Sequence, residues 1–131
     1  MSKLSGVLID TEKRIARSVT IEDELDEFYK ILNCSTIDIV QRRIGSGRSK
    51  KSFSIVCDDE GTFVEDPKIS AINNLGSGML VGNLFITGLL DGEGNLLSLA
   101  PEDLNYILRR CQKMPTRKHP EGLMILTQCE Y

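Results

Sequence analysis

Few side chains in this sequence suit acid–base or nucleophilic catalysis, which needs a base held beside a nucleophile. The one histidine, His119, stands in a cationic, proline-flanked segment that is typical of a solvent-exposed loop. The spacing of the cysteines and His119 in the sequence is compatible with a catalytic Cys–His pair, but no local sequence signature favours one. We therefore expect a protein that is not an enzyme and has no catalytic residue.

The cysteines and two acidic turns are the candidates for metal binding in this sequence. Neither has the ligand spacing that a metal site requires. Zinc ligands usually occur in pairs about two to four residues apart. The cysteines are widely separated, at Cys34, Cys57, Cys111 and Cys129. The acidic segments 58–61 and 91–95 lack the ligand ladder of a calcium loop and are typical of β-turns. We expect no metal, no cofactor, and thiols that are small buried side chains.

The basic segment at residues 42–51 is the strongest indication of ligand binding. Its cations surround glycines and serines, which is typical of a flexible loop between strands; they are Arg42, Arg43, Arg48, Lys50 and Lys51. Cations and exposed amides in such a loop suit phosphate groups, although the ending and the following helix of a P-loop are missing. Two interpretations stay open: a solvated hairpin loop, or contacts to a phosphorylated ligand, a nucleic acid or an acidic protein surface.

Two further polar surfaces are candidates for binding. Asn73 and Asn74 precede an apolar strand, where their amides could contact a ligand or tie the backbone of a turn. The acidic start of the first predicted helix suits the positive end of the helix dipole and could also contact a basic protein surface. Its residues are Glu22, Asp23, Asp26 and Glu27.

The bulk composition is that of one globular domain. The chain has 131 residues, of which 40% are hydrophobic and 27% charged, and its net charge is −3. A dedicated nucleic-acid binder usually has a basic surplus. The apolar run 7–9 is too short for a signal peptide, and the stretch 78–90 is shorter than the roughly 20 residues of a membrane span. We expect a single cytoplasmic domain over 1–131, not associated with a membrane, with a C-terminal extension at 115–131.

Periodicity predicts two main helices. Residues 20–23 match a capping box, and the helix that follows should bury Leu25, Phe28, Tyr29 and Leu32 and end near Asn33. A second helix should begin at Pro101, because proline suits the first turn, and should bury Leu104, Ile107, Leu108 and Cys111.

Alternating or continuous apolar runs predict the strands. Residues 7–9 and 15–21 predict a hairpin. Further strands are expected at 36–44, 52–57, 62–64, 80–88 and 96–99, with a short helix near 67–76 and a last strand or docked extension at 123–127. This order favours an α+β fold, with a mostly antiparallel sheet and the two main helices packed on one side.

The order of these segments resembles a family of small domains of unknown function found on phages, plasmids and integrative elements of bacteria. The resemblance covers about residues 4 to 110 and depends on short motifs: VLID at 7–10, IEDELDEF at 21–28, IDIV at 37–40, CDDEG at 57–61, the pair Asn73–Asn74, VGNLFI at 81–86 and LSL at 97–99. The family has no established catalytic residues, so the resemblance assigns none to this chain. It implies an accessory protein of a mobile element that acts on the host by binding.

The expected function is therefore that of a non-enzymatic binding protein, which inhibits a host defence component through protein–protein contact. The alternative is a module that sequesters a nucleotide or nucleic acid with the basic segment. A protein partner is favoured because nucleotide pockets commonly stack bases on aromatic rings, and this chain has three Tyr, four Phe and no Trp. The sequence does not decide between monomer and dimer.

Overall fold

The computed structural model describes residues 3–60 and 66–131. These residues form two α-helices, ten strands and a single 3-10 turn. In chain order the elements are β1 (Lys3–Asp10), β2 (Ile15–Glu22), α1 (Leu25–Leu32), β3 (Ile37–Ile44), the 3-10 turn (Gly47–Ser49), β4 (Lys51–Asp58), β5 (Ile69–Ile72), β6 (Gly78–Val81), β7 (Leu84–Thr87), α2 (Pro101–Leu108), β8 (Cys111–Met114), β9 (Leu123–Leu126) and β10 (Cys129–Glu130). The strand expected at 62–64 lies outside the described residues.

A six-stranded antiparallel sheet is the larger of the two sheets, with the order β10-β3-β4-β7-β1-β2. The predicted hairpin of β1 and β2 is confirmed, and its ladder runs without interruption from the Lys3–Glu22 pair to the Asp10–Ile15 pair. Asp10 closes the turn, because its carboxylate accepts bonds from the backbone N–H groups of Glu12 and Lys13. In the part of the chain that the structure describes, β1 is the one strand neighbour of β2.

The second sheet has the order β6-β5-β9-β8, and its β5–β9 pair is parallel while the others are antiparallel. The short helix expected near 67–76 is wrong, because residues 69–72 form β5. Ile69 and Ile72 have the spacing of a helical face, but buried Ala71 pairs with Leu80 on one side and with Leu126 on the other. Pairing with distant strands therefore overrides the local periodicity.

The long apolar strand expected at 80–88 is two strands in two different sheets. Gly82 separates them with a positive φ of 77°, and its N–H donates to the carbonyl of Lys68. The expectation of a central strand is confirmed for β7, which lies between β4 and β1 and is buried at all four positions.

The six-stranded sheet is covered on both faces. On one face, Phe28 and Leu32 of α1 join a cluster with Leu8 and Phe85. On the other face, α2 and the second sheet cover Val7, Ile9, Ile55, Leu84 and Ile86. The two helices therefore lie on opposite faces, and the prediction that they pack on one side is wrong. The continuous burial of β4 and β7 is typical of a strand covered on both faces.

The helix boundaries are partly as predicted. α1 ends at Asn33, which adopts the left-handed conformation with φ 53°. The capping box is wrong, because Thr20 and Glu22 belong to β2 and the N-cap is Glu24, which makes no side-chain cap bond. α2 begins at Pro101 as expected, but it ends at Leu108, so Cys111 lies in β8.

The segment expected to be a C-terminal extension is part of both sheets. β9 joins the second sheet and β10 pairs with β3 at the edge of the first. Leu123, Leu126 and Cys129 are almost fully buried. Of the two interpretations given for 123–127, the strand is correct. In the described residues no helix is long and apolar enough to cross a membrane.

Candidate functional site

The basic segment is shorter as a loop than the sequence indicates. Arg42 and Arg43 lie in β3 and Lys51 lies in β4, because the β3–β4 ladder continues to the Ile44–Lys51 pair. Tyr106 of α2 holds the remaining connection, since its hydroxyl lies 2.7 Å from the Ile44 carbonyl and 2.6 Å from that of Ser49. The loop bounds 42–51 are therefore wrong, and the connection itself covers residues 45–50.

Three of the five predicted cations have partners within the chain. Lys51 Nζ lies 2.9 Å from Asp103 Oδ1, and this contact raises the pKa of the lysine. Arg43 Nε donates to the Tyr131 carbonyl at 2.8 Å. The Arg42 guanidinium lies 4.7 Å from the centroid of the Tyr131 ring. Within the described residues, Arg48 and Lys50 make no salt bridge.

The asparagine pair lies in the turn between β5 and β6. Asn73 Oδ1 accepts bonds from the N–H groups of Leu75 and Ser77, both at 2.9 Å. Asn74 Nδ2 lies 3.3 Å from Glu130 Oε1 of β10. Asn73 therefore ties the backbone of its turn, which is the structural one of the two roles considered for the pair.

The acidic residues lie where β2 ends and α1 begins. Glu22 is 3.9 Å from Lys3 and Glu27 is 3.4 Å from Lys30. Asp26 is exposed and Asp23 half-buried. This end of the six-stranded sheet therefore presents an acidic surface.

A segment that was predicted as a β-turn followed by a strand lies at the same end. Residues 88–99, which we call the leucine loop, connect β7 to α2 and contain five leucines, two before and three after an acidic, glycine-containing turn. Leu89 is 40% exposed, Leu90 37% and Leu97 48%, whereas Leu96 packs against the α1-side cluster. The predicted strand 96–99 is wrong, since only one bridge, Leu90–Leu96, forms there.

The tip of the leucine loop is held by Asp91. Its Oδ1 accepts bonds from the N–H groups of Glu93 and Asn95, at 2.8 and 2.9 Å. These bonds, above all the one from the Asn95 backbone, hold the pKa of Asp91 below its ordinary value. Gly94 adopts a positive φ of 84° there. The β-turn expected at 91–95 is confirmed.

The base of the loop is bonded to the sheet. The Leu97 carbonyl accepts from the Gly88 N–H at 2.7 Å and from the Thr87 hydroxyl. Leu99 N–H donates to the Ser5 carbonyl at 2.9 Å, and Ser5 N–H donates to Ser98 Oγ at the same distance. The exposed leucines therefore stand on a scaffold that is bonded at both its tip and its base.

A polar cleft of about 290 Å³ lies at the other end of the sheet. Thr11 and Asn83 line it, joined by bonds of the Thr11 N–H and hydroxyl to Asn83 Oδ1. His119 lies behind one wall, 8% exposed, with Nε2 3.1 Å from Asp66 Oδ2. This bond lowers the pKa of Asp66. The expectation of a solvent-exposed His119 is wrong, because the turn at 116–122 folds the ring against residue 66.

The thiols have the properties of small buried side chains. Burial raises the pKa of Cys57 and of Cys129 to about 11 and that of Cys111 to about 12, which disfavours the nucleophilic thiolate. Cys57 and Cys129 are buried as expected, and Cys34 and Cys111 are half-buried. In residues 3–60 and 66–131 no group of three His, Cys, Asp or Glu side chains could hold a metal ion.

A family model described as "Domain of unknown function (DUF3846)" matches residues 3–112. The chain belongs to this DUF3846 family. The predicted membership in a family of domains of unknown function is thus confirmed over nearly the residues expected, and β9 and β10 lie beyond the matched region. No curated protein and no solved structure matches the chain.

Proposed function

We propose that this DUF3846 domain is a non-enzymatic protein-binding module that docks its leucine loop into an apolar recess of a partner protein. The observation that carries the proposal is the exposure of Leu89, Leu90 and Leu97 on one anchored loop. Exposed large apolar side chains that occur together favour a binding surface, whereas single ones are ordinary.

The anchoring of the loop supports a binding role. A loop that is ordered before it binds loses less conformational entropy in the complex. The bonds of Asp91 at the tip and of Ser5 and Leu97 at the base provide that order. Each leucine that becomes fully buried contributes about 1.5–3 kcal/mol of apolar transfer free energy.

The surroundings of the loop favour a partner with basic residues around its recess. Ser98 of the loop contacts Lys3, and Lys3 pairs with Glu22 at the end of β2. The acidic start of α1, with exposed Asp26 and Leu25, follows directly. An apolar centre with a charged rim is the usual composition of a protein interface.

A more specific form of this proposal is that the partner protein is a defence component of a bacterial host and that binding of this domain inhibits it. Its support is the resemblance to small accessory proteins of mobile elements. The inhibitor role is tested by measuring the activity of the purified partner with and without an equimolar amount of this domain. If binding leaves that activity unchanged, the inhibitor role is excluded while the binding role stands.

The test begins with capture of the partner from a nuclease-treated bacterial lysate, followed by calorimetric titration of the purified pair. The double variant Leu89→Ser/Leu97→Ser should lose at least about tenfold in affinity, because two anchors of a few kcal/mol are removed. Leu75→Ser is the matched control, since Leu75 is 90% exposed in the β5–β6 turn. It should bind as the wild type does.

Equal binding by the double variant and the wild type would exclude the leucine loop as the contact. Failure of any protein to bind in stoichiometric amount would exclude the function itself. Circular dichroism checks that the double variant keeps its fold.

A second candidate, binding of a nucleotide or nucleic acid by the basic segment, is supported by Arg48 and Lys50, which lie around the 3-10 turn without a salt bridge in the described part of the chain. Such binding should weaken steeply with salt and be lost in Arg48→Glu/Lys50→Glu.

A further inference from the structure

The outer edge of β2 is the longest unpaired strand edge in the described residues of the larger sheet. β2 has eight residues, contains no proline, and pairs with β1 without a bulge. Exposed edges of this kind bind further strands unless they are blocked. Of the blocking features, β2 has neither a proline nor a bulge, and its one charged residue before Glu22 is the exposed Arg17. The edge strand on the opposite side, β10, has only two residues.

The hydrogen bonds of β1 show which β2 groups face outward. Ser5 directs its N–H and C=O to Ser98 and Leu99, and Thr11 directs its N–H to Asn83, so the odd residues of β1 bond away from β2. In an antiparallel pair the residues opposite them also bond away from the shared side. These β2 residues are Ala16, Ser18, Thr20 and Glu22.

Within residues 3–60 and 66–131, three of these residues have both backbone groups free for a new strand. The Glu22 carbonyl is already bonded by the Glu24 N–H at 2.9 Å. Ala16, Ser18 and Thr20 remain, centred on Ser18. A two-fold axis between the Ser18 residues of two copies pairs Ala16 of one copy with Thr20 of the other. Ala16, Ser18 and Thr20 then each donate one backbone N–H and accept one bond at their carbonyl from the other copy.

The same register brings complementary side chains together. Ile15, which is 37% exposed, comes opposite Ile21 of the second copy, a residue that is 9% exposed and already packs in the α1-side cluster. Beyond the strand, the two-fold relation brings the turn that contains Lys13 to the end of the interface where Asp23 of the second copy lies. Neither Lys13 nor Asp23 makes a salt bridge within the described chain. β2 is therefore basic where it begins and acidic where it ends, and antiparallel pairing of two copies matches these ends.

We propose that two copies of this domain associate through their β2 edges, with Ser18 on the two-fold axis and Lys13 beside Asp23 of the other copy. The resulting dimer has one continuous antiparallel sheet. The leucine loop bonds to β1 on the side away from β2, so this proposal stands independently of the proposed function.

The test is sedimentation equilibrium of the full chain over a wide range of concentration. The wild type should reach twice the monomer mass. Lys13→Glu alone places two carboxylates at each end of the interface, and Asp23→Lys alone places two ammonium groups there. Each variant should self-associate at least about tenfold more weakly, since like charges brought together in an interface are destabilising.

A mixture of the two variants distinguishes pairing from any loss of fold. In the mixed dimer both ends of the interface regain one carboxylate and one ammonium group, so association should return close to the wild-type value. Lys118→Glu, in the 116–122 turn, is the control for the change in net charge and should dimerise as the wild type does.

A second variant tests the backbone bonds. Ser18→Pro removes an outward N–H that no β1 residue uses. At concentrations where the wild type is monomeric the thermal midpoint should therefore change little, while the dimer is lost at higher concentration. A wild type that stays monomeric at all concentrations would overturn the proposal. So would a mixture of Lys13→Glu and Asp23→Lys that associates no better than either variant alone.

Discussion

The basic segment and the leucine loop differ from their sequence-based predictions in opposite directions: the first has fewer free side chains than its composition indicates, and the second has more. The basic segment has the composition of a mobile ligand-binding loop, yet Arg42, Arg43 and Lys51 lie in strands and have partners in the chain. The leucine loop has apolar ends that are typical of buried strand, yet three of its five leucines are exposed. Composition alone therefore indicates what a segment could do, and the neighbouring elements decide which groups remain available.

The largest expected effect is on the free energy of unfolding, when alanine replaces one glycine in the basic segment or one in the leucine loop. Gly45 has a φ of 124°, and a methyl group there would overlap the Tyr106 hydroxyl oxygen. Gly94 has a φ of 84° and open space around it. Gly45→Ala should lower the free energy of unfolding by about 3 kcal/mol, through strain and overlap, and Gly94→Ala by about 1 kcal/mol, through strain alone.

Urea denaturation of the two variants measures this difference. Equal losses would mean that the connection at 45–50 is no more tightly packed than the tip of the leucine loop. That result would remove the structural distinction between the two regions.

A smaller effect is expected from Tyr106→Phe. The variant keeps the buried ring but removes the hydroxyl that bonds to Ile44 and Ser49. The free energy of unfolding should fall by about 1–2 kcal/mol, because a buried carbonyl loses its partner. In amide exchange, protection should fall at residues 45–50 and stay unchanged at 88–99; a uniform loss would show that Tyr106 supports the whole core instead.

The smallest effect is the pH dependence of the leucine loop. The pKa of Asp91 is lowered in the folded state by the bonds from Asn95 and Glu93. A carboxylate whose folded pKa is depressed stabilises the fold above its unfolded pKa, and this contribution is lost as the pH falls through the folded pKa. Wild type should therefore melt above Asp91→Asn at neutral pH, and the difference should shrink in acid.

Differential scanning calorimetry between neutral pH and about pH 3 measures this dependence. A difference in thermal midpoint that stays constant over that range would mean that charge on Asp91 does not hold the tip.

Local signals predicted most of the elements near their observed bounds. The hairpin of β1 and β2, the start of α2 at Pro101 and the end of α1 at Asn33 each depend on residues close in sequence. These features are predictable because turn and cap chemistry acts over a few residues. The errors fall on segments whose state depends on distant partners, such as β5 and the strand divided at Gly82.

The candidate site was less predictable than the fold. The signal that could have pointed to it is the set of leucines on both sides of the turn at 91–95, which is unusual for a loop. Their exposure is not predictable from that pattern, because it depends on how the base of the loop bonds to Ser5 of the distant strand β1.

By itself, the sequence determined that the chain has a core of alternating and continuous apolar strands, two helices, tight turns and no pair of closely spaced metal ligands. Only the tertiary structure decided that the helices lie on opposite faces, that residues 123–130 complete both sheets, and which cations, leucines and strand edges stay free. The physical reason is the sequence separation of the interacting residues. Turns and caps depend on residues a few positions away, whereas the burial of helices and the pairing of distant strands depend on residues tens of positions away.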